Sequence, residues 1–212
     1  MLVERIMTHD VKTLTPEHTI DDAKNMMKQY SFRHIPIVDH SNILVGIISE
    51  SDIKINLPTS IAGHDPSEIR TTKLSEVMIT NVTTCHPLDF VAEIALDFYN
   101  YTIGAIPVVR QNKVIGIVTQ KDMLNTFIEL TGITEPGSII EIDVEDEMGV
   151  IYELGKIFKE LNIKIISVSV YNNKETSSNK IIVLRIQAMN PLIAINKLKE
   201  HGFKVLEPNQ EP

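Results

Sequence analysis

Apolar positions along this chain switch between two periods, and the same succession of switches occurs twice. Ile20, Ala23, Met27 and Tyr30 fall at helical spacing, with Thr19 and Asp22 placed as a capping box at the start of the stripe. Two short apolar runs follow, Ile35-Pro36-Ile37-Val38 and Val45-Gly46-Ile47-Ile48, joined by the polar loop 39–42. Farther along, Val91, Ile94, Ala95 and Phe98 form a second stripe, followed by runs at 106–109 and 114–118 around the loop 110–113. Each set is preceded by a short extended piece, 11–14 and 82–85, that a proline (Pro16, Pro87) closes. Met7, Val11, Thr13, Pro16, Tyr30, Ile35, Pro36 and Val38 recur as Met78, Val82, Thr84, Pro87, Tyr101, Ile106, Pro107 and Val109, at a constant offset of 71. Each copy predicts β-α-β-β-α. A duplicated unit of this size that cannot close its own core packs against its copy.

The last third has another rhythm. Residues 139–144 alternate as a strand, and Val150, Leu154, Ile157, Phe158 and Leu161 make an apolar helical stripe. Strands at 163–170 and 180–186 flank a polar loop, a helix carrying Leu192, Ile195 and Leu198 starts after Pro191, and 203–206 is a final strand. The order β-α-β-β-α-β predicts a ferredoxin-like split sheet. The domains expected are repeat 1 over 1–57, a linker over 58–73 with Pro58, Gly63 and Pro66, repeat 2 over 74–131, a linker over 132–137, and a separate module over 138–212. The fold class is thus mixed, α/β with α+β.

Each copy ends in Gly-apolar-apolar-Ser/Thr-x-x-Asp: Gly46-Ile47-Ile48-Ser49-Glu50-Ser51-Asp52 and Gly116-Ile117-Val118-Thr119-Gln120-Lys121-Asp122. With apolar-Pro-apolar ahead of it, this order resembles the tandem CBS-domain (Bateman module) family over roughly residues 3–131. The resemblance implies clefts for an adenosyl ligand, in which hydroxyl and carboxylate meet the ribose hydroxyls and the helix N-terminus meets phosphate. Carried over by position, one cleft uses Ser49, Asp52, Ile35 and Pro36 with Val82 and Thr83. The other uses Thr119, Asp122, Ile106 and Pro107 with Val11 and Lys12. Arg33 falls where similar proteins place a phosphate-contacting arginine; the second copy has Gly104 there, leaving Lys121 and Lys12. Ser, Thr and Asp are also ordinary helix caps, and Arg33 can be a solvated charge. Both readings stand at this point.

Residues 143–149, with Val150-Ile151-Tyr152-Glu153-Leu154 after them, resemble ACT domains, small allosteric modules that bind amino acids at subunit interfaces. That resemblance implies an effector loop at Asp146 and Gly149. Two features depart from the pattern: Met148 stands where the family has proline, and Glu145, Asp146 and Glu147 make the turn acidic. A purely dimerising module is the other reading. The combined architecture is similar to the acetoin-utilisation (AcuB) family, which implies a role in acetoin or carbon metabolism.

Composition narrows the partners. The net charge of −8, from 20 basic and 28 acidic residues, means that a nucleotide site must be locally basic. There is no Trp and no basic-aromatic stripe, so nucleic acid is not an expected partner. No apolar run reaches membrane-spanning length and no signal peptide is recognisable, so a cytoplasmic protein without a membrane partner is expected. The single Cys85 excludes an internal disulfide and a multi-cysteine metal site. No Walker loop, nucleophile elbow or His-Glu-x-x-His occurs, so neither catalytic residues nor a metal are expected. The reading is a regulatory sensor, not an enzyme, binding AMP, ADP, ATP, S-adenosylmethionine or a cyclic dinucleotide. A ligand-free scaffold is the alternative, then a nucleotide hydrolase. A homodimer is expected from the surplus apolar positions Met26, Met27, Phe98, Tyr99, Ile151 and Tyr152, with an unidentified protein partner.

Overall fold

The computed structural model describes residues 1–56 and 71–206. Apart from residues 71–73, the linker expected over 58–73 lies outside the described residues, as does the chain beyond Leu206. Two compact bodies are present, Met1–Leu124 and Asn125–Pro212.

In the first body each copy runs helix, hairpin, helix. The first contains α1 (Ile20–Tyr30), β1 (His34–Val38), β2 (Leu44–Ser49) and α2 (Glu50–Asn56). A short helix α3 (Leu74–Val77) leads into α4 (Val91–Tyr101), β3 (Ala105–Arg110), β4 (Lys113–Thr119) and α5 (Gln120–Thr131), which runs past the division between the bodies. Thr19 caps α1 reciprocally: its hydroxyl accepts from Asp22 N–H at 3.2 Å, and Asp22 Oδ2 accepts from Thr19 N–H at 2.8 Å. α1 and α4 end on residues of left-handed backbone, Ser31 (φ 58°) and Thr102 (φ 52°), at equivalent positions of the two copies. Both hairpins carry a register shift at the same place, after Ile37 and after Val108.

The extended pieces ahead of the helices are shorter than a strand. Leu14 forms a single parallel bridge to Ile37 and Cys85 one to Val108. Pro16 and Pro87, without N–H groups, cannot carry the pairing onward.

The copies are interlocked through their leading segments. Val3 and Met7, from the N-terminus, lie in the core of the second copy with Cys85, Ile94, Phe98, Ile106, Val108 and Val118. Conversely Leu74, with Val77 and Met78, packs into the first copy's core against Ile20, Met27, Ile35, Ile48 and Ile53. Reciprocal antiparallel bridges seal the exchange: Thr8 exchanges N–H···O bonds of 2.9 and 3.1 Å with Ile117, and Ile79 exchanges two of 2.9 Å with Ile47. Each copy therefore completes the other's core. Met27 and Phe98 are buried in these cores, so of the surplus apolar residues of this half, Tyr99 is exposed (84%) and Met26 half-buried.

The second body contains β5 (Ser138–Glu145), α6 (Val150–Glu160), β6 (Ile165–Asn172), β7 (Asn179–Ile186), α7 (Leu192–Glu200) and β8 (Lys204–Leu206). The antiparallel sheet has the order β6-β7-β5-β8, the split β-α-β arrangement expected from the pattern. Leu154, Ile157 and Phe158 of α6 and Ala194 and Leu198 of α7 pack on Ile140, Ile142, Val144, Ile182, Leu184 and Ile186. Strand alternation sends Ile139, Glu141, Asp143, Ile181, Val183 and Arg185 to the opposite face. Ile151 and Tyr152 are exposed on α6.

Candidate functional site

The two Ser/Thr-x-x-Asp motifs occupy strand-to-helix junctions, where β2 turns into α2 and β4 into α5. Ser49 Oγ donates to Asp52 Oδ2 at 2.6 Å, Ser49 N–H donates to the same oxygen at 2.8 Å, and Asp52 N–H returns a bond to Ser49 Oγ at 3.1 Å. Thr119 and Asp122 repeat the arrangement at 2.7, 2.8 and 3.4 Å. All four are half-buried, so the hydroxyl and carboxylate stand together at a helix N-terminus with part of their surface open. The geometry at Thr19 and Asp22 is nearly the same. Cap geometry alone thus does not separate a ligand site from a cap.

Both copies line a concavity of about 220 Å³ in which Val82 and Thr84 of the second lead segment meet Val45 of β2 and Asn112 of the opposite hairpin loop. Thr83, Val11 and Lys12 are half-buried in the lead segments. Ile35, Pro36, Ile106 and Pro107 are buried, and the carbonyls of Pro36 and Pro107 already accept from Leu14 and Cys85 N–H. They form walls behind the lead segments. Lys12 Nζ is held by both oxygens of Asp10 at 3.0 and 2.9 Å, which raises its pKa, while Lys121 is exposed.

Arg33 lies elsewhere. It lines a larger concavity of about 830 Å³ between α1 and α2, with Lys24, Lys28 and Lys54, and its Nε is 3.6 Å from Glu50 Oε2. Its counterpart Gly104 is glycine for a steric reason: a Cβ there would stand 2.5 Å from His34 Nε2. His34 is accordingly half-buried rather than a solvated strand-end residue. Burial pushes its pKa down from 6.5, Asp52 opposing and Arg33 adding to the shift.

The sequence reading passed over Asn42 and Asn112. Both sit in the hairpin loops with positive φ (63° and 64°). Asn42 Nδ2 donates to Val114 O at 3.0 Å and Leu44 N–H donates to Asn112 O at 3.0 Å, fastening one hairpin to the other. Their recurrence at matching loop positions was the available signal.

In the second body Asp146 is paired with Lys180 at 3.3 Å, and Gly149 starts α6 with φ 94°, a conformation that favours glycine. Both line a concavity of about 160 Å³ with Val150 and Val170. Among the described residues no group of three or more His, Cys, Asp or Glu could hold a metal ion, and no helix is long and apolar enough to cross a membrane.

The family model of the CBS domain matches residues 3–58 and 74–129, just over half of the chain. A solved structure of a Vibrio cholerae protein named for acetoin utilization (AcuB) is 35% identical, covers 64% of this chain and 98% of its own, and superposes with a TM-score of 0.55. The CBS domain pair of protein MJ0100, solved in complex with 5′-methylthioadenosine and S-adenosyl-L-methionine, is 29% identical over 64% of this chain and 98% of its own, TM-score 0.54. Among relatives by sequence, a homoserine O-acetyltransferase of Methanococcus vannielii is 36% identical over 59% of this chain but only 25% of the enzyme, so the chain spans about a quarter of that relative's length. The CBS domain-containing protein YhcV of Bacillus subtilis is 31% identical over 57% of this chain and 81% of its own. With two matched repeats, interlocked through their leading segments, the chain belongs to the CBS domain family as a tandem pair.

Proposed function

We propose that this chain is a regulatory protein whose paired CBS repeats bind an adenosyl ligand and pass its presence to a partner or to the oligomeric state. The observation that carries the reading is the pair of half-buried hydroxyl-carboxylate junctions, Ser49 with Asp52 and Thr119 with Asp122, set in a body whose halves are held by reciprocal bridges. The adenosyl compounds bound by the MJ0100 pair support the choice of ligand class. The ligand-contacting set is Ser49, Asp52, Val82 and Thr83 in one cleft and Thr119, Asp122, Lys121, Val11 and Lys12 in the other. Ile35, Pro36, Ile106 and Pro107 act as supporting walls, and Arg33, on the rim of the larger concavity, serves an anionic group.

The split-sheet body is proposed as an ACT domain, residues 138–212, whose turn at Asp146 and Gly149 suits dimerisation better than carboxylate capture, since Glu145, Asp146 and Glu147 repel a ligand carboxylate. The protein is proposed as a cytoplasmic homodimer without catalytic activity of its own, in acetoin or carbon metabolism, by likeness to the AcuB protein.

Calorimetry with S-adenosylmethionine, 5′-methylthioadenosine, AMP, ADP, ATP and cyclic di-AMP, with mass spectrometry of compounds released from the purified chain, tests this. A saturable adenosyl ligand at one or two sites per chain is expected. No binding by any of them would leave the ligand-free scaffold, which the matching cap at Thr19 and Asp22 favours.

A further inference from the structure

On the open face of the second body's sheet lies a concavity of about 220 Å³, separate from the acidic turn. Its walls are apolar: Phe127, Ile133, Ile139 and Val183. Its polar lining is Arg185 with Thr131, Ser167 and Ser169, the Ser167 hydroxyl donating to the Thr131 carbonyl at 2.8 Å. Arg185 is only 8% exposed, and among the described residues no carboxylate pairs with it. Its Nη2 donates to the carbonyls of Ile133 and Glu135, while its Nε is buried without a partner. A buried guanidinium held only by neutral carbonyls keeps an uncompensated charge, an arrangement that disfavours the empty state and favours an anion. The acids of the same sheet face are engaged elsewhere: Asp143 accepts from Lys204 at 2.7 Å and Asn179 at 2.8 Å, and Glu141 interacts with Tyr171.

We infer that this concavity is a binding site for a short aliphatic monocarboxylate, with the carboxylate on Arg185 and the chain against Phe127, Ile139 and Val183. Arginine's planar fork suits a carboxylate. The volume corresponds to about seven waters at ~30 Å³ each, the size of an acid of about four to six carbons. The lining offers no carboxylate to take an ammonium group, which selects a simple acid over an amino acid. The site is independent of the adenosyl clefts.

The test is an NMR titration of the ¹⁵N-labelled full-length chain with sodium butyrate, against sodium chloride of equal ionic strength. Saturable shifts at Ser167, Ser169, Val183 and Arg185 are expected, with 1-butanol, which lacks the charge-assisted contact, and 2-aminobutyrate, whose ammonium finds no partner in the lining, weaker by about tenfold or more. Arg185→Met should lose binding to a similar extent. Because Arg185 also ties down the segment at 133–135, Val183→Phe, which fills the concavity and leaves Arg185 in place, provides the second variant and should also abolish the shifts. Butanol or 2-aminobutyrate binding as tightly as butyrate, shifts that do not saturate, or a folded Val183→Phe protein that binds as the parent does would each overturn the inference.

Discussion

Gly46 lies directly against Met78: a Cβ on this glycine would stand 2.6 Å from the methionine sulfur and 3.1 Å from the Ile79 carbonyl. Gly116 stands in the same relation to Met7, at 2.5 Å. The glycine of each motif is thus the surface on which the other copy's leading segment rests. Gly46→Ala should destabilise the first body by about 1–3 kcal/mol, as overpacking does. Urea unfolding should show partial recovery in Gly46→Ala/Met78→Ala, and additive losses would mean that the two residues do not share this contact.

The exchange of segments gives the N-terminus a remote effect. Val3→Ala removes two fully buried methyl groups, and a loss of about 1–3 kcal/mol is expected at roughly 0.5–1.5 kcal/mol each. Hydrogen exchange should speed up first in β3 and β4, whose core Val3 enters, and only later in β1 and β2. Earlier loss in β1 and β2 would contradict the interlocked arrangement.

Asp52 and Asp122 complete the capping boxes of Ser49 and Thr119 as well as being proposed ligand groups, so their substitution acts twice. Asp52→Ala and Asp22→Ala should each lower stability by about 0.5–2 kcal/mol, the range for a lost helix cap. Calorimetry with a bound adenosyl ligand should then show weaker affinity for Asp52→Ala and unchanged affinity for Asp22→Ala. Equal affinities in the two variants would reduce Asp52 to a cap.

His34 should make stability depend on pH. Its folded pKa lies below the 6.5 of a free imidazole, chiefly through burial, so the unfolded chain binds the proton more readily. The stabilisation is present above pH 6.5 and is lost as pH falls through the folded value. Unfolding between pH 8 and 5 should show this loss, and His34→Gln should flatten it; an NMR titration with His34 at or above 6.5 would refute the assignment. Gly104→Ala, which drives a Cβ into the imidazole, should be destabilising, and less so when His34 is shortened to alanine.

The repeat made much of this fold legible. Ile37 and Val108, or Gly46 and Gly116, report the same local rule twice, so the hairpins could be read from one sequence. The cap at Thr19 was equally plain because capping is local. What stayed hidden depends on distant segments: nothing near Val3 or Leu74 says that each enters the other copy's core. The Arg33 and Gly104 asymmetry was visible, yet its steric cause is His34, which reaches Gly104 across the body. Arg185 reads as one charged residue in an alternating strand, and only the assembled sheet shows it buried, with no carboxylate partner among the described residues.

The interlock sets an order of events during synthesis. Val3 and Met7 are made before the core they enter, since their resting place needs Ile106, Val108 and Val118, some hundred residues later. At about 5–20 residues per second, that is a wait of roughly 5–20 s. The first copy, too, is finished only when Leu74 has been made. A chain truncated between the repeats therefore leaves its N-terminal apolar residues without a home, and a quality-control protease meets an unfinished half rather than a small stable domain.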